Sequence, residues 1–387
     1  MEQPFNSHPE FTQLMYGLAV ASSLTRAQAV EQLRQNACRR TIGETLAKYA
    51  PVPPNDVKAL QSFLTEKLLE NSPPDVKRDT VRRKVQMWLK GEIQSISKPG
   101  AIQLAFTLGL SPEEAGPFLH RVCGEGFHWR DPVEIVFLYA LREGMSYPEA
   151  LALRDAMEKK ALLSSAGEDT ETLTNLVRRK AEQITSAGEL EDYLRQSQGQ
   201  LGRFHNTAYT LFREYLNLLQ APEIDDLMDP DKKISVREVT ATYLHEALVS
   251  RFQGGTERED PLLSALQRDI QQNWPDEIAL SRMLHRKTDI SRKALILLFL
   301  ATDGAPSLEA PDNGGLPEED EEDFESRYTR LNTMLCDCGF APLDSRSPFD
   351  WMVIYCMCVE EAMFIDTEME AFLRVIFRQA PSQPGEP

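Results

Sequence analysis

Apolar residues follow a helical period through much of the chain. Ile102, Leu104, Ala105 and Leu108 recur at this spacing, and Gly109 directly after them is a typical helix stop. Few segments alternate between apolar and polar residues with a period of two, and helix-forming residues dominate. The pattern predicts an all-α protein.

Helix starts can be assigned from capping residues. Ser111–Glu114 places Ser at the N-cap, Pro at the first helical position and two acids in the first turn. Asp131-Pro132 and Ser347-Pro348 predict two further helix starts. Residues 135–139 and 351–355, within these helices, are apolar on nearly every side, which predicts burial at the centre of a bundle.

A pattern of roughly forty residues occurs twice. The first copy contains Ser97-Lys98-Pro99, Cys123-Gly124, Arg130-Asp131-Pro132 and Tyr139. The second contains Ser291-Arg292-Lys293, Cys338-Gly339, Arg346-Ser347-Pro348 and Tyr355. Nine positions separate Arg from Tyr in both copies, and Cys precedes Arg by 7 and 8. Self-similarity of this kind predicts one helical bundle used twice, with a helical region between the copies.

The second copy carries an insertion. Ser and Cys lie 26 positions apart in the first copy and 47 in the second, and the additional 21 nearly match residues 304–325. This stretch contains nine acids and no Lys or Arg. Because it cannot bury enough apolar surface to offset its ordering entropy, we expect a mobile acidic loop.

Stretches rich in Pro, Gly and Ser predict boundaries that divide the chain into five structural regions. They are a helical lead-in at 1–54, a first module at 55–160, a helical middle region at 170–265, a second, degenerate module at 266–378 and a disordered tail at 379–387.

Charge and composition narrow the classes of function. The net charge of −18 argues against a protein that simply coats nucleic acid. Bases are nevertheless concentrated before each copy: 77–98 holds seven bases and two acids, a balance of +5, and 282–293 holds five bases and one acid, a balance of +4. Six Cys without a dense framework, no apolar run of membrane-spanning length and no signal-peptide pattern predict a cytoplasmic protein.

Three segments together resemble a known family. Val85–Gly91 and Ser97-Lys98-Pro99, followed by Leu108–Glu114, resemble the phage-repressor-like (xenobiotic-response-element type) helix-turn-helix regulators of bacteria. The resemblance covers about 60–155, and a degenerate second match covers about 270–360. The family usually has a helix before the turn, whereas residues 71–76 here contain two consecutive prolines and do not begin as a helix.

The resemblance implies a recognition helix at about 80–89. On it, Arg82, Arg83 and Gln86 would lie near base edges, where Arg pairs with guanine and Gln with adenine. Phosphate contacts would come from three lysines, Lys77, Lys90 and Lys98. Trp88 and Leu89 would face the core.

Other candidate chemistry is weaker. Cys336, Cys338, Cys356 and Cys358 could be read as a zinc site, but the one-residue gaps differ from the usual Cys-x-x-Cys, and residues two apart on a helix point away from each other. Small buried residues are the preferred interpretation, so we expect no metal and no cofactor. Nucleophile, P-loop, zinc-protease and dinucleotide signatures are missing from the sequence, which predicts a protein that is not an enzyme.

An apolar stripe at helical spacing runs through the middle region. Its members are Tyr209, Phe212, Tyr215, Leu216 and Leu219. A helix face packed in the core explains it best, and a dimer contact is the alternative.

Two functions remain open from the sequence. The first is a bacterial transcriptional regulator that binds duplex DNA, as a homodimer, through the first module. The second is a non-enzymatic helical adaptor that binds another protein, which the acidity and the altered turn favour.

Overall fold

The computed structural model describes residues 9–377 apart from 22–23, 37–41, 54, 74, 92, 94–95, 164–173, 203, 222–232, 251–259, 304–323 and 359–364. Twenty α-helices and no strand occur in this part of the chain. The prediction of an all-α protein is confirmed. Across the same residues, no helix combines the length and apolarity that crossing a membrane requires.

The chain forms two compact units. The first consists of the described residues within Arg39–Thr207 and Cys336–Ala341, and the second of those within His8–Cys38, Ala208–Leu335 and Pro342–Pro387. These ranges differ from the five that the sequence suggests, because the predicted lead-in is divided: its described residues up to position 36 group with the second unit and those from 42 onward with the first.

The first unit contains nine complete helices among its described residues. They are α3 (Ile42–Tyr49), α4 (Val57–Glu70), α5 (Arg78–Leu89), α6 (Lys98–Leu108), α7 (Pro112–Cys123), α8 (Pro132–Arg142), α9 (Tyr147–Lys159), α10 (Thr174–Glu182) and α11 (Ala187–Gln196).

The remaining helices lie wholly or mainly in the second unit. They are α1 (Pro9–Val20), α2 (Arg26–Asn36), α12 (Asn206–Gln220), α13 (Val236–Thr242), α14 (Glu246–Ser250), α15 (Pro261–Gln271), α16 (Glu277–Leu284), α17 (Arg292–Ala301), α18 (Phe324–Asp337), α19 (Pro348–Cys358) and α20 (Ile365–Ile376).

Local sequence determines where several helices begin and end. Ser111 and Glu114 form a reciprocal capping box at the start of α7, and the Asp131 carboxylate accepts from two backbone N–H groups at the start of α8. Gly109 ends α6 in the left-handed conformation at φ 65°, where a side chain would be strained. These predicted boundaries are confirmed.

Hydrogen bonds connect helices α1 and α2 to the rest of the second unit. The buried Trp351 indole N–H donates to the Met15 carbonyl at 2.8 Å. Arg26 makes a two-point contact with the buried Glu368 carboxylate, with N–O distances of 2.7 and 2.6 Å. These contacts, at residues more than 300 positions apart, explain why α1 and α2 belong to this unit.

The repeated pattern has the same local geometry in both copies. Gly124 and Gly339 both adopt left-handed backbone, with φ of 79° and 83°. The Asp131 N–H donates to the His128 carbonyl at 3.0 Å, and the Ser347 N–H donates to the Asp344 carbonyl at 2.8 Å. Each pair therefore forms the same tight turn before its apolar helix.

A buried ion pair also occurs at equivalent positions, and we call it the cation–carboxylate latch. In the first unit the Lys98 ammonium lies 2.8 Å from the Glu134 carboxylate. In the second the Arg292 guanidinium binds the Asp350 carboxylate at 2.9 and 2.8 Å. Each cation sits at the start of one helix and each carboxylate in the first turn of another.

Both latch carboxylates also accept a hydrogen bond from the backbone N–H of the residue six positions earlier. The His128 N–H donates to Glu134 at 2.6 Å, and the Asp344 N–H donates to Asp350 at 2.9 Å. Burial raises the pKa of the Glu134 carboxyl, while Lys98 and the His128 N–H act in the opposite direction. The two copies of the sequence pattern therefore share this turn and this ion pair.

Other predictions fall partly outside the described residues. Phe212, Tyr215, Leu216 and Leu219 are buried, so the stripe on α12 faces the core. The predicted acidic loop at 304–325 lies outside the described residues except for its last two positions, which are instead the first residues of α18. The predicted tail at 379–387 also lies outside them.

Candidate nucleic-acid interface

Helix α5 is amphipathic and exposes most of its length. Val81, Val85 and Trp88 occupy one face at helical spacing and are buried. The intervening positions point away from this apolar stripe. With twelve residues, the helix is about 18 Å long.

The outer face of α5 carries the polar side chains that the resemblance implies. Arg82, Arg83 and Gln86 are all exposed, as are Lys77 just before the helix and Lys90 just after it. Trp88 is buried and Leu89 packs against the core, as expected. Five of the six proposed contact residues are therefore available to a partner at one helix.

Carboxylates neutralise this face only weakly. The Arg82 guanidinium is 3.5 Å from Asp79, the one acid on α5, and both side chains are largely exposed. Such surface pairs contribute about 0–1 kcal/mol and exchange readily for other partners. Arg83 forms no ion pair with any described residue. The face therefore keeps its positive character in an acidic chain.

Lys98 has a different role from the other five residues. Its ammonium is in the latch with Glu134, and Glu125 lies 3.7 Å away. The side chain is only 20% exposed. A phosphate contact would have to compete with the buried Glu134 carboxylate, so Lys98 is not part of the exposed face.

Two further cations near α5 had no assigned role in the sequence. Arg78 forms an ion pair with Glu66 of α4. The Lys84 ammonium lies 5.0 Å from the centre of the Trp88 ring, a cation–π distance. Both belong to the basic stretch already visible at 77–98, and their spacing relative to Trp88 and α4 could have indicated these contacts.

The connection between α4 and α5 is long but anchored. Residues 71–77 lie between the two helices, which agrees with the expectation that this segment is not helical at its start. Gln103 of α6 donates to the Asn71 carbonyl at 2.7 Å, and the Tyr147 N–H donates to the Asn71 side-chain oxygen at 3.2 Å. These bonds fix the point from which the chain enters α5.

Close packing also fixes the end of α5. A Cβ at Gly43 of α3 would lie 3.0 Å from the Leu89 Cα and 3.1 Å from the Trp88 carbonyl oxygen. Real Cβ atoms rarely approach backbone this closely, so only glycine lets α3 rest against α5 here. The end of α5 therefore packs directly against α3.

The thiols considered for a metal site are mostly buried. Cys338, Cys356 and Cys358 are buried, and burial raises the pKa of each, so the thiols stay protonated at neutral pH. Their burial agrees with small core residues.

Comparisons of this chain with protein-family models, with curated proteins and with solved structures gave no match.

Proposed function

We propose that the first unit binds duplex DNA through the outer face of α5 and acts as a transcriptional regulator. The observation that carries the proposal is the joint exposure of Arg82, Arg83 and Gln86 on one side of a helix whose other side is buried. A helix in the major groove offers its outward side chains to base edges, where Arg binds guanine and Gln binds adenine.

Charge around the helix supports the same mode. Lys77 and Lys90 are exposed at the two ends of α5 and are suited to phosphates on either side of a groove. The chain has a net charge of −18, so its overall charge repels the DNA phosphates. Binding therefore depends on the local contacts between these cations and phosphates, which are strongest at low salt.

The test is selection from random duplex DNA with the full chain at low salt, followed by titration of the enriched sequence. Arg83→Ala is expected to lower specific affinity by about 5- to 150-fold, the equivalent of 1–3 kcal/mol for a base contact. Lys90→Ala is expected to weaken all sequences equally and to reduce the salt slope by about 1. Arg179→Ala, an exposed cation on α10 of the same unit, is the matched control and is expected to have no effect.

The Lys98→Ala variant tests whether Lys98 stabilises the fold or contacts DNA phosphate. Because its ammonium is in the latch, its loss is expected to lower stability and leave the salt slope unchanged. Failure to enrich any sequence, together with binding that does not respond to salt, would reject DNA recognition. A stoichiometric protein partner that persists after nuclease treatment would then favour the adaptor function.

A further inference from the structure

The counterpart of α5 in the second unit is α16. Leu280 and Met283 are buried in α16 at the same three-residue spacing as Val85 and Trp88 in α5. Each helix ends one residue after the second of these positions. The two helices can therefore be superposed position by position on their buried faces.

This superposition shows that the outer faces have different chemistry. The positions of Arg82, Arg83 and Gln86 correspond to Glu277, Ile278 and Ser281. An acid and an aliphatic side chain thus replace two arginines. The two guanidinium groups proposed to contact bases in the first unit are therefore missing at these positions, and apolar surface takes the place of one of them.

Ile278 is unusual for its exposure and its surroundings. It is 67% exposed, the highest value among the large apolar residues in the described part of the chain. Single exposed apolar residues are common on proteins. Ile278, however, borders a shallow hollow of about 190 Å³ that is also lined by Glu277, Ser281, Arg282 and Lys287.

Two cations in this lining have no anionic partner. Neither Arg282 nor Lys287 forms an ion pair with a carboxylate in the described part of the chain. The turn after α16 brings Lys287 back to the helix: Arg286 has φ 51°, and the Lys287 N–H donates to the Arg282 carbonyl at 2.8 Å. Both charges are therefore held beside Ile278.

We propose that this hollow is a docking site for a protein partner that offers an apolar side chain flanked by carboxylates. The hollow is similar in size to the cavity of about 150 Å³ that holds benzene in an engineered protein, so it has room for one aliphatic or aromatic side chain. Ile278 supplies the apolar contact. Arg282 and Lys287 supply charge complementarity for flanking Asp or Glu residues, which also directs association.

The test uses a displayed library of random twelve-residue peptides, selected on the immobilised full chain. Enrichment of Leu, Ile or Phe flanked by Asp or Glu is expected. A synthetic peptide of the enriched sequence is then titrated by fluorescence anisotropy against variants. Ile278→Asp and Arg282→Glu are expected to lower its affinity at least tenfold.

Leu262→Asp is the matched control, because Leu262 is an exposed apolar residue on α15 of the same unit. Its affinity for the peptide is expected to stay within twofold of the unsubstituted chain. Since Ile278 and Leu262 are both exposed, circular dichroism is expected to show the same folded spectrum for all three variants.

Three outcomes would overturn the proposal. They are no enrichment, enrichment of basic peptides, and equal loss of affinity in Leu262→Asp. A fourth contrary result is a loss of duplex DNA binding in Lys287→Glu as large as that in Arg83→Ala, which would make the hollow a nucleic-acid contact. Arg83→Ala is expected to leave peptide affinity unchanged, so this site and the DNA face can fail separately.

Discussion

Removing the cation of the second-unit latch should destabilise that unit strongly. Asp350 is 1% exposed and Arg292 is 13% exposed, so the pair is largely shielded from water. Arg292→Ala leaves the Asp350 carboxylate buried with the Asp344 N–H as its remaining latch donor. Breaking a buried ion pair from one side costs about 3–5 kcal/mol, and we expect a loss of free energy of unfolding in this range.

Removal of the carboxylate should cost less. In Asp350→Ala the Arg292 guanidinium keeps its contact with the Pro342 carbonyl at 3.1 Å and can turn towards solvent. The charged hydrogen bonds that it loses are worth about 2–3 kcal/mol. The double variant should cost less than the sum of the two single changes by about 2 kcal/mol, because the first change already removes the interaction.

The assay is urea denaturation followed by tryptophan fluorescence. Two of the four tryptophans, Trp274 and Trp351, lie in the second unit, so a background with Trp88→Phe and Trp129→Phe reports on that unit. Such a background is needed because a chain with two units need not unfold in one step.

A surface ion pair in the same unit provides the control. Arg374 and Glu370 form an i,i+4 pair on α20 that is largely exposed, and Arg374→Ala should cost at most about 0.5 kcal/mol. If Arg292→Ala costs no more than this control, or if the two latch substitutions are additive, the latch does not stabilise the unit and the reasoning is refuted.

Three further predictions concern the supports of the two units. Gly43→Ala should destabilise the first unit by about 1–3 kcal/mol and weaken DNA binding, because its Cβ would meet the backbone of α5, whereas Gly116→Ala in α7, with open space around it, should be neutral or stabilising in the same denaturation assay. Lys98→Ala should cost less than Arg292→Ala, since the lysine makes a single contact with its latch carboxylate, and parallel urea titrations would contradict this if the order were reversed. Burial raises the pKa of the Cys356 thiol, so its stabilising contribution is complete below the unfolded pKa of about 8.5 and is lost as pH rises above it; at pH 9.5 the destabilisation caused by Cys356→Ala should be about 1.4 kcal/mol smaller than at pH 7, and equal values at the two pH values would contradict the prediction.

Local features of the fold were predictable from the sequence. Capping residues such as Ser111 and Asp131, and the stop at Gly109, act within one helical turn, so their effect can be read without knowing the fold. The family resemblance implied that Arg82, Arg83 and Gln86 lie on the outer face of a helix, and all three are exposed on α5. The assignment of these residues to DNA stays a prediction.

Long-range contacts were not predictable in the same way. The family resemblance implied a phosphate contact for Lys98, whereas the structure pairs it with Glu134, which lies 36 positions away and belongs to another helix. The contact that joins α1 to the second unit links Trp351 with Met15, which the sequence separates by 336 positions. Hydrophobic periodicity and helix propensity describe neighbouring residues, so they do not indicate which residues far apart in the sequence will be in contact.

The chemistry of the latch constrains how the two copies can diverge. One copy pairs lysine with glutamate and the other pairs arginine with aspartate. The longer acidic side chain is thus paired with the smaller ammonium group, and the shorter one with the larger guanidinium group. Shortening Glu134 to Asp alone should leave a gap that Lys98 cannot span with good geometry, whereas the paired exchange Lys98→Arg with Glu134→Asp should restore the span. Substitutions at these two positions are therefore expected to be acceptable to the fold together and costly one at a time.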